Sequence, residues 1–203
     1  IAFFNSLAFK KMPSHKFSKP PNLWLVMRRD YRVYLAVFLR HLGASAVWVI
    51  FPLYLVSIGL DHFWIGLLWG VNFVVQFLVM RQLERFSEFK TFFWGQVLSV
   101  IVFLAYAFFT NRFSLLILQV VLGVAWSCLY VGALLIVLRA GKEKGTAGGI
   151  FQSTLNLCNA VGPLLGGLIA QGWGYRGVML FAAALCVGGM FVTVPARQPA
   201  SRI

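Results

Sequence analysis

Arg40 and His41 stand side by side in a stretch, Val33–Ser57, that is otherwise almost wholly apolar. An arginine at the centre of a bilayer costs about 2.5–3.5 kcal/mol on insertion scales, so its side chain needs a partner or a route to water. Arg40 lies seven residues from the start of that stretch, roughly 10 Å at helical rise, which permits partial snorkelling. It is either a structural anchor or interhelical hydrogen-bond donor, or a group that binds an anion or another substrate. His41 is either packed and hydrogen-bonded or part of a proton relay. No Asp or Glu falls in any long apolar stretch. A proton-coupled mechanism would therefore draw its carboxylate from outside this chain or use His41 instead.

Amides recur with helical spacing. Gln152, Asn156, Asn159 and Pro163 stand at i, i+4, i+7 and i+11, one stripe of a helix. Asn72 and Gln76 form a shorter i, i+4 pair, and Gln119, Gly123, Ser127 and Tyr130 make a third polar face. Amides surrounded by lipid either hold helices together or present donors and acceptors to a cavity. Trp48 and Trp126 lie at mid-stretch, as packing residues or as apolar walls of a pocket. Pro52 and Pro163 each remove a ladder hydrogen bond and mark sites where a helix can kink. No HExxH, CxxC, GxSxG or Walker loop is present, and His15, His41 and His62 are too dispersed for a metal site. The residues call for no cofactor and give no enzyme signal.

Six apolar stretches position these groups: Val33–Ser57, Phe63–Met80, Thr91–Thr110, Phe113–Leu138, Thr146–Gln171 and Gly177–Val194. Each approaches the roughly 20 residues that cross a bilayer core, and none alternates with a strand's period of two, so helices are the expected spanning form. Apolar residues are 60% of the 203-residue chain and charged residues 11%, the reverse of a soluble surface's needs. The expected class is an all-α integral membrane protein whose solvent is the lipid bilayer.

A net charge of +13 raises nucleic acid as a partner, but the distribution excludes it. Of the 18 basic residues, 15 lie before the first span, in the second and fourth connections and in the tail; two, Arg112 and Arg176, lie in the other connections; Arg40 is within a span. The positive-inside rule puts both termini in the cytoplasm, as an even number of spans requires. The expected location is the cell membrane. Residues 1–30 are expected to be a cytoplasmic linker, ending in a short amphipathic helix over Asn22–Asp30. There Leu23–Met27 would face lipid, and Arg28 and Arg29 the headgroups. Residues 31–196 form the bundle and 197–203 a cytoplasmic tail. Ile1–Phe9 is apolar but too short to span, as expected for the cut end of an earlier helix in a fragment. Cys128, Cys158 and Cys186 fall inside spans and read as small buried hydrophobes.

Polarity divides the spans into two triplets. Spans one, two, four and five carry the amides, Arg40 and His41, whereas span three has only Gln96, Ser99 and Tyr106 and span six only Thr193. The third member of each triplet is expected at the periphery, packed on one side, with Phe103 and Leu185 facing outward and Asn156 facing inward. A weak repeat agrees: Leu42-Gly43-Ala44 with Trp48 recurs as Leu122-Gly123-Val124 with Trp126, and Gly66, Gly70 and Asn72 as Gly148, Gly149 and Gln152. Two triplets of helices are topologically inverted, a common plan in secondary transporters.

Gly148-Gly149-Ile150-Phe151-Gln152 leading to Gly162-Pro163-Leu164-Leu165-Gly166-Gly167, then Gly172-Trp173-Gly174-Tyr175, resembles the eleventh helix and following turn of major facilitator superfamily transporters. Leu83-Glu84-Arg85-Phe86-Ser87-Glu88-Phe89-Lys90 resembles a degenerate copy of that family's cytoplasmic G-x-L-a-D-R-x-G-R-K loop. Glu84 stands for the Asp and Arg85 matches the Arg, while Ser87 replaces the second Gly and Glu88 the following Arg. The resemblance implies the carboxy-terminal six-helix half of a twelve-helix transporter, a three-plus-three inverted repeat. Its partner would be a missing amino-terminal half, its ligand a small-molecule substrate bound near the midplane, and its mechanism alternating access. Arg40, His41, Trp48, Asn72, Gln76, Gln119, Trp126, Tyr130, Gln152 and Asn156 are then the substrate-cavity candidates. Glu84, Arg85 and Lys90 are candidates for a cytoplasmic gating loop. The competing reading is a self-contained six-span channel or scaffold acting as a homodimer.

Overall fold

In lipid a backbone amide has no water to turn to, so each apolar stretch closes its hydrogen bonds within itself. The computed structural model describes residues 22–193, and every regular element among them is a helix. These are α1 (Leu23–Arg29), α2 (Tyr31–Ser57), α3 (His62–Met80), α4 (Glu88–Phe108), α5 (Arg112–Arg139) and α6 (Lys144–Thr193), with a 3-10 turn at Leu83–Arg85. Side-chain caps fix three starts. Asn22 accepts from the Trp24 amide at 3.0 Å, Asp61 from that of Trp64 at 3.0 Å and Asn111 from that of Phe113 at 2.9 Å. Helices α2 to α6 are long and apolar enough to cross a membrane. The expected linker before Asn22 and the tail at 197–203 lie outside the described residues.

The fifth and sixth expected spans form one 50-residue element, α6. Straight, it would be about 75 Å long, more than twice a bilayer's roughly 30 Å core. It is not straight: Gly174 has φ 68° and ψ −177°, a region essentially open to glycine alone. Contacts with α2 show the reversal. Along the first arm, residues 144–173, partners rise together. Tyr34 Oη donates to the Ala147 carbonyl at 3.2 Å, Gly162 meets Ser45, and Gly166 meets Ala46. Along the second arm, residues 175–193, they run oppositely, with Tyr175 against Tyr54, Ala182 against Gly43, and Gly189 against Ala36. So α6 is a helical hairpin with both arms laid on α2.

Glycines set how closely the other helices approach. Gly95 of α4 faces the Leu129 backbone of α5, and Gly132 of α5 faces the Phe92 backbone of α4. Gly123 of α5 lies against Asn72 and Val75 of α3. Buried side chains gather in two groups, one containing Phe51, Tyr54, Phe103, Tyr106 and Met179, the other Val26, Tyr34, Phe92, Ala147 and Phe151. Cys128, Cys158 and Cys186 are buried and unpaired by disulfide.

Three expectations are corrected. Val26 of α1 turns into the protein, although Leu23, Trp24, Leu25 and Met27 are exposed. Arg29 reaches Asp30 at 2.9 Å and Glu143 at 3.2 Å, so it is tied to protein carboxylates rather than held out for headgroups. Phe103 is buried, and α4 carries Gln96, Ser99 and Tyr106 inward on the same face. Counting polar residues identifies one face of a helix at most: α4 does leave Trp94, Ile101, Leu104 and Phe108 exposed on its other side.

Candidate functional site

Four helices line a cavity of about 220 Å³. Its walls are Arg40, His41 and Trp48 from α2, Trp69, Asn72, Phe73 and Gln76 from α3, Leu122 and Trp126 from α5, and Asn159 from the first arm of α6. Each lies within about five residues of the middle of its helix or, for Asn159, of the first arm of α6, roughly 8 Å along the axis. The packing around Gly123, Gly162 and Gly166 brings these four elements close enough to share one space.

Arg40 is 2% exposed. It does not snorkel: its Nε donates to Ser99 Oγ on α4 at 3.0 Å, and its guanidinium carbon lies 4.9 Å from the Trp126 ring centre and 5.7 Å from that of Phe103. Arginine favours aromatic faces because their π-systems present negative potential to it. Ser99 in turn donates to the Gly95 carbonyl at 2.7 Å, which fixes the hydroxyl so that its lone pair meets Arg40. His41 stacks on Trp126 with ring centres 5.0 Å apart. Its Nε2 donates to Asn159 Oδ1 at 3.1 Å, and Ser45 Oγ donates to the same oxygen at 2.9 Å. With Nε2 as the donor, neutral His41 leaves Nδ1 as an acceptor, and Nδ1 is buried without a partner among the described residues.

Trp48 and Trp69 lie 4.4 Å apart, with Phe73 5.9 Å from Trp69. Asn72 Nδ2 donates to the Gln119 carbonyl at 2.9 Å, and Gln76 Nε2 donates to Asn72 Oδ1. The arrangement can hold a small solute between an aromatic wall and a polar one, the pattern of small-molecule sites in general. Among the described residues no cluster of His, Cys, Asp or Glu is arranged to hold a metal.

Of the ten cavity candidates, the structure brings six together here: Arg40, His41, Trp48, Asn72, Gln76 and Trp126. Gln119 sits behind the wall, fully buried, and only its backbone reaches Asn72. Tyr130 packs on Trp126 and Phe151 outside the lining. Gln152 and Asn156 are exposed and bond each other at 3.1 Å. Trp69, Phe73 and Leu122 were not singled out from the sequence, though Trp69, Asn72, Phe73 and Gln76 share one helical face and that mixed stripe was the available signal. In the gating loop, Glu84, Arg85 and Lys90 are exposed and make no ion pair among the described residues. The loop's ion pair instead joins Glu88 to Arg139 at 3.0 Å.

A family model described as Major Facilitator Superfamily matches residues 33–202. The chain belongs to the Major Facilitator Superfamily. It is also similar to a protein named multidrug resistance protein MdtG, from Proteus mirabilis (strain HI4320), at 29% identity over 181 residues. That match covers 81% of this chain and 43% of the relative, so the chain spans less than half the length of the protein it matches. Membership in the superfamily and the long apolar helices make this an integral, multi-pass membrane protein.

Proposed function

We propose that the chain is the carboxy-terminal half of a secondary transporter that moves a small solute by alternating access. The observation that carries this reading is the central cavity, where polar groups from α2, α3, α5 and α6 converge at mid-helix against aromatic walls. Six crossings arranged as two inverted triplets fit the packing. The first helix of each triplet lies on the second and third of the other: α2 on the two arms of α6, and α5 on α3 and α4. The missing amino-terminal half would cover the cavity's open side. Helix α3 agrees, since 11% of its apolar centre is buried against 72% for α2, and Gly66 and Gly70 have no neighbour where a side chain would stand.

Ion pairs of Arg29, Glu143, Glu88 and Arg139 tie the basic connections together at one end of the bundle. We place that end in the cytoplasm of a cell-membrane protein. The name of the relative suggests export of inhibitory compounds of varied structure. The test is growth of drug-sensitive cells expressing the full-length transporter on a panel of such compounds. Trp126→Ala and Asn72→Leu should abolish any resistance conferred, at unchanged membrane abundance, while Ile101→Ala on the outer face of α4 should keep it. Full resistance with both cavity variants would refute the assignment.

A further inference from the structure

We infer that the cavity selects organic anions with an aromatic or apolar body, and that the Arg40 guanidinium is the anion's partner; this rests on the cavity being the solute site. The charge balance leads there first. The chain has five acidic residues. Asp30, Glu88 and Glu143 are engaged in ion pairs at one end of the bundle, Asp61 caps α3 at the other, and Glu84 is exposed beside the 3-10 turn. None can reach Arg40 in mid-bundle. A guanidinium stays charged in proteins, so the cavity carries an uncompensated positive charge within this chain.

The hydrogen bonds point the same way. A guanidinium has five N–H donors, and among the described residues Arg40 uses one, its Nε to Ser99. The terminal nitrogens make no hydrogen bond among the described residues, and Arg40 is one of the residues that line the cavity. Trp126 and Phe103 hold the group by its faces but take no proton and leave its charge intact. The neighbouring acceptor, Asn159 Oδ1, is already filled by His41 and Ser45; His41 Nδ1 is a free acceptor beside it, and the four remaining N–H groups of Arg40 still exceed it. A carboxylate, sulfonate or phosphonate matches that surplus, because arginine binds such groups through paired, charge-assisted hydrogen bonds. A cation would meet like charge. In the same cavity, Trp48 and Trp69 offer an aromatic surface for the body of the same molecule.

Three probes with one phenylbutyl body separate the possibilities: 4-phenylbutyrate, 4-phenyl-1-butanol and 4-phenylbutylamine. Their dissociation constants would be measured by calorimetry on the purified full-length transporter. The anion should bind more tightly than the alcohol, and the amine least. Arg40→Ala should weaken the anion at least about tenfold, as expected for losing a charge-assisted hydrogen bond. It should leave the alcohol within about twofold. Arg40→Lys should recover part of the anion's affinity, since lysine keeps the charge but not the planar fork. If Arg40→Ala does not fold, the ranking of the probes on the wild type and on Arg40→Lys decides. Equal binding of the three probes, preference for the amine, or parallel weakening of all three in Arg40→Ala would overturn the anion assignment while leaving the cavity a solute site. Binding of none would refute the cavity as a site for such solutes, and the inference with it.

Discussion

Gly95 and Gly66 are both helical glycines in apolar spans, yet they should answer the same substitution in opposite ways. A side chain at Gly95 would run into the Leu129 backbone, whereas at Gly66 it would meet nothing within 4 Å. Gly95→Ala should cost about 1–3 kcal/mol, the range for forcing extra volume into a packed contact. Gly66→Ala should be neutral or mildly stabilising in this chain, because alanine is the better helix former. Thermal melting in detergent checks both. If Gly66→Ala destabilises the full-length transporter but not this chain, α3 packs there on the other half. Spacing alone does not distinguish two such glycines, and the same gap shows in the amide stripe of α6. Periodicity places Gln152, Asn156 and Asn159 on one face, but not beside a particular neighbour. Asn159 is the one that meets α2, because Gly162 lets the two helices touch nearby. Arg40 was conspicuous in the sequence by its cost; its partner Ser99 was not, since a serine within a span can satisfy its hydroxyl on its own helix, as Ser99 does on Gly95.

At the scale of the helices, hydropathy located the crossings within about three residues of their structural ends, because burying backbone in lipid admits so few solutions. Which face of each helix is covered depends on its neighbours, and there polarity misplaced Phe103. The hairpin of α6 depends on one residue. Gly174→Ala should cost roughly 1–3 kcal/mol, the price of a sparsely populated backbone region. Gly172→Ala, with open space around it, should be tolerated; comparison of the two melting curves isolates the turn.

The clasp between α1 and the α5–α6 connection has a pH signature. Glu143's own backbone amide, and then the Arg29 guanidinium, hold its carboxyl below the ordinary carboxylate value of 4.5. A carboxyl depressed on folding contributes stability above its unfolded value and loses it as pH falls through the lower folded value. Wild type should therefore melt slightly above Glu143→Gln at neutral pH, and the difference should vanish only in acid, below about 4.5. A difference that persists unchanged in acid, or is absent at neutral pH, would contradict this.

For the molecule as a whole, the division of basic residues predicts its orientation: Arg85 and Lys142 face the cytoplasm and Arg176 the outside. Single cysteines at these positions, in a background lacking the three native ones, should be labelled by an impermeant reagent in intact cells only at position 176. Labelling at 85 or 142 would invert the topology. That division was legible because insertion reads charge segment by segment, without knowledge of packing. The order in which the helices are made has a different consequence. Helix α2 is made before the other long helices described and is the most buried of them, yet its arginine is held by α4 and its histidine by the hairpin that ends the described chain. While the ribosome adds the intervening residues, Arg40 and His41 wait in or beside the insertion machinery without their native partners. Ribosome stalling after α3 should leave α2 held at the translocon or exposed to membrane quality control, and release should follow only once the two arms of α6 have emerged and folded back along it.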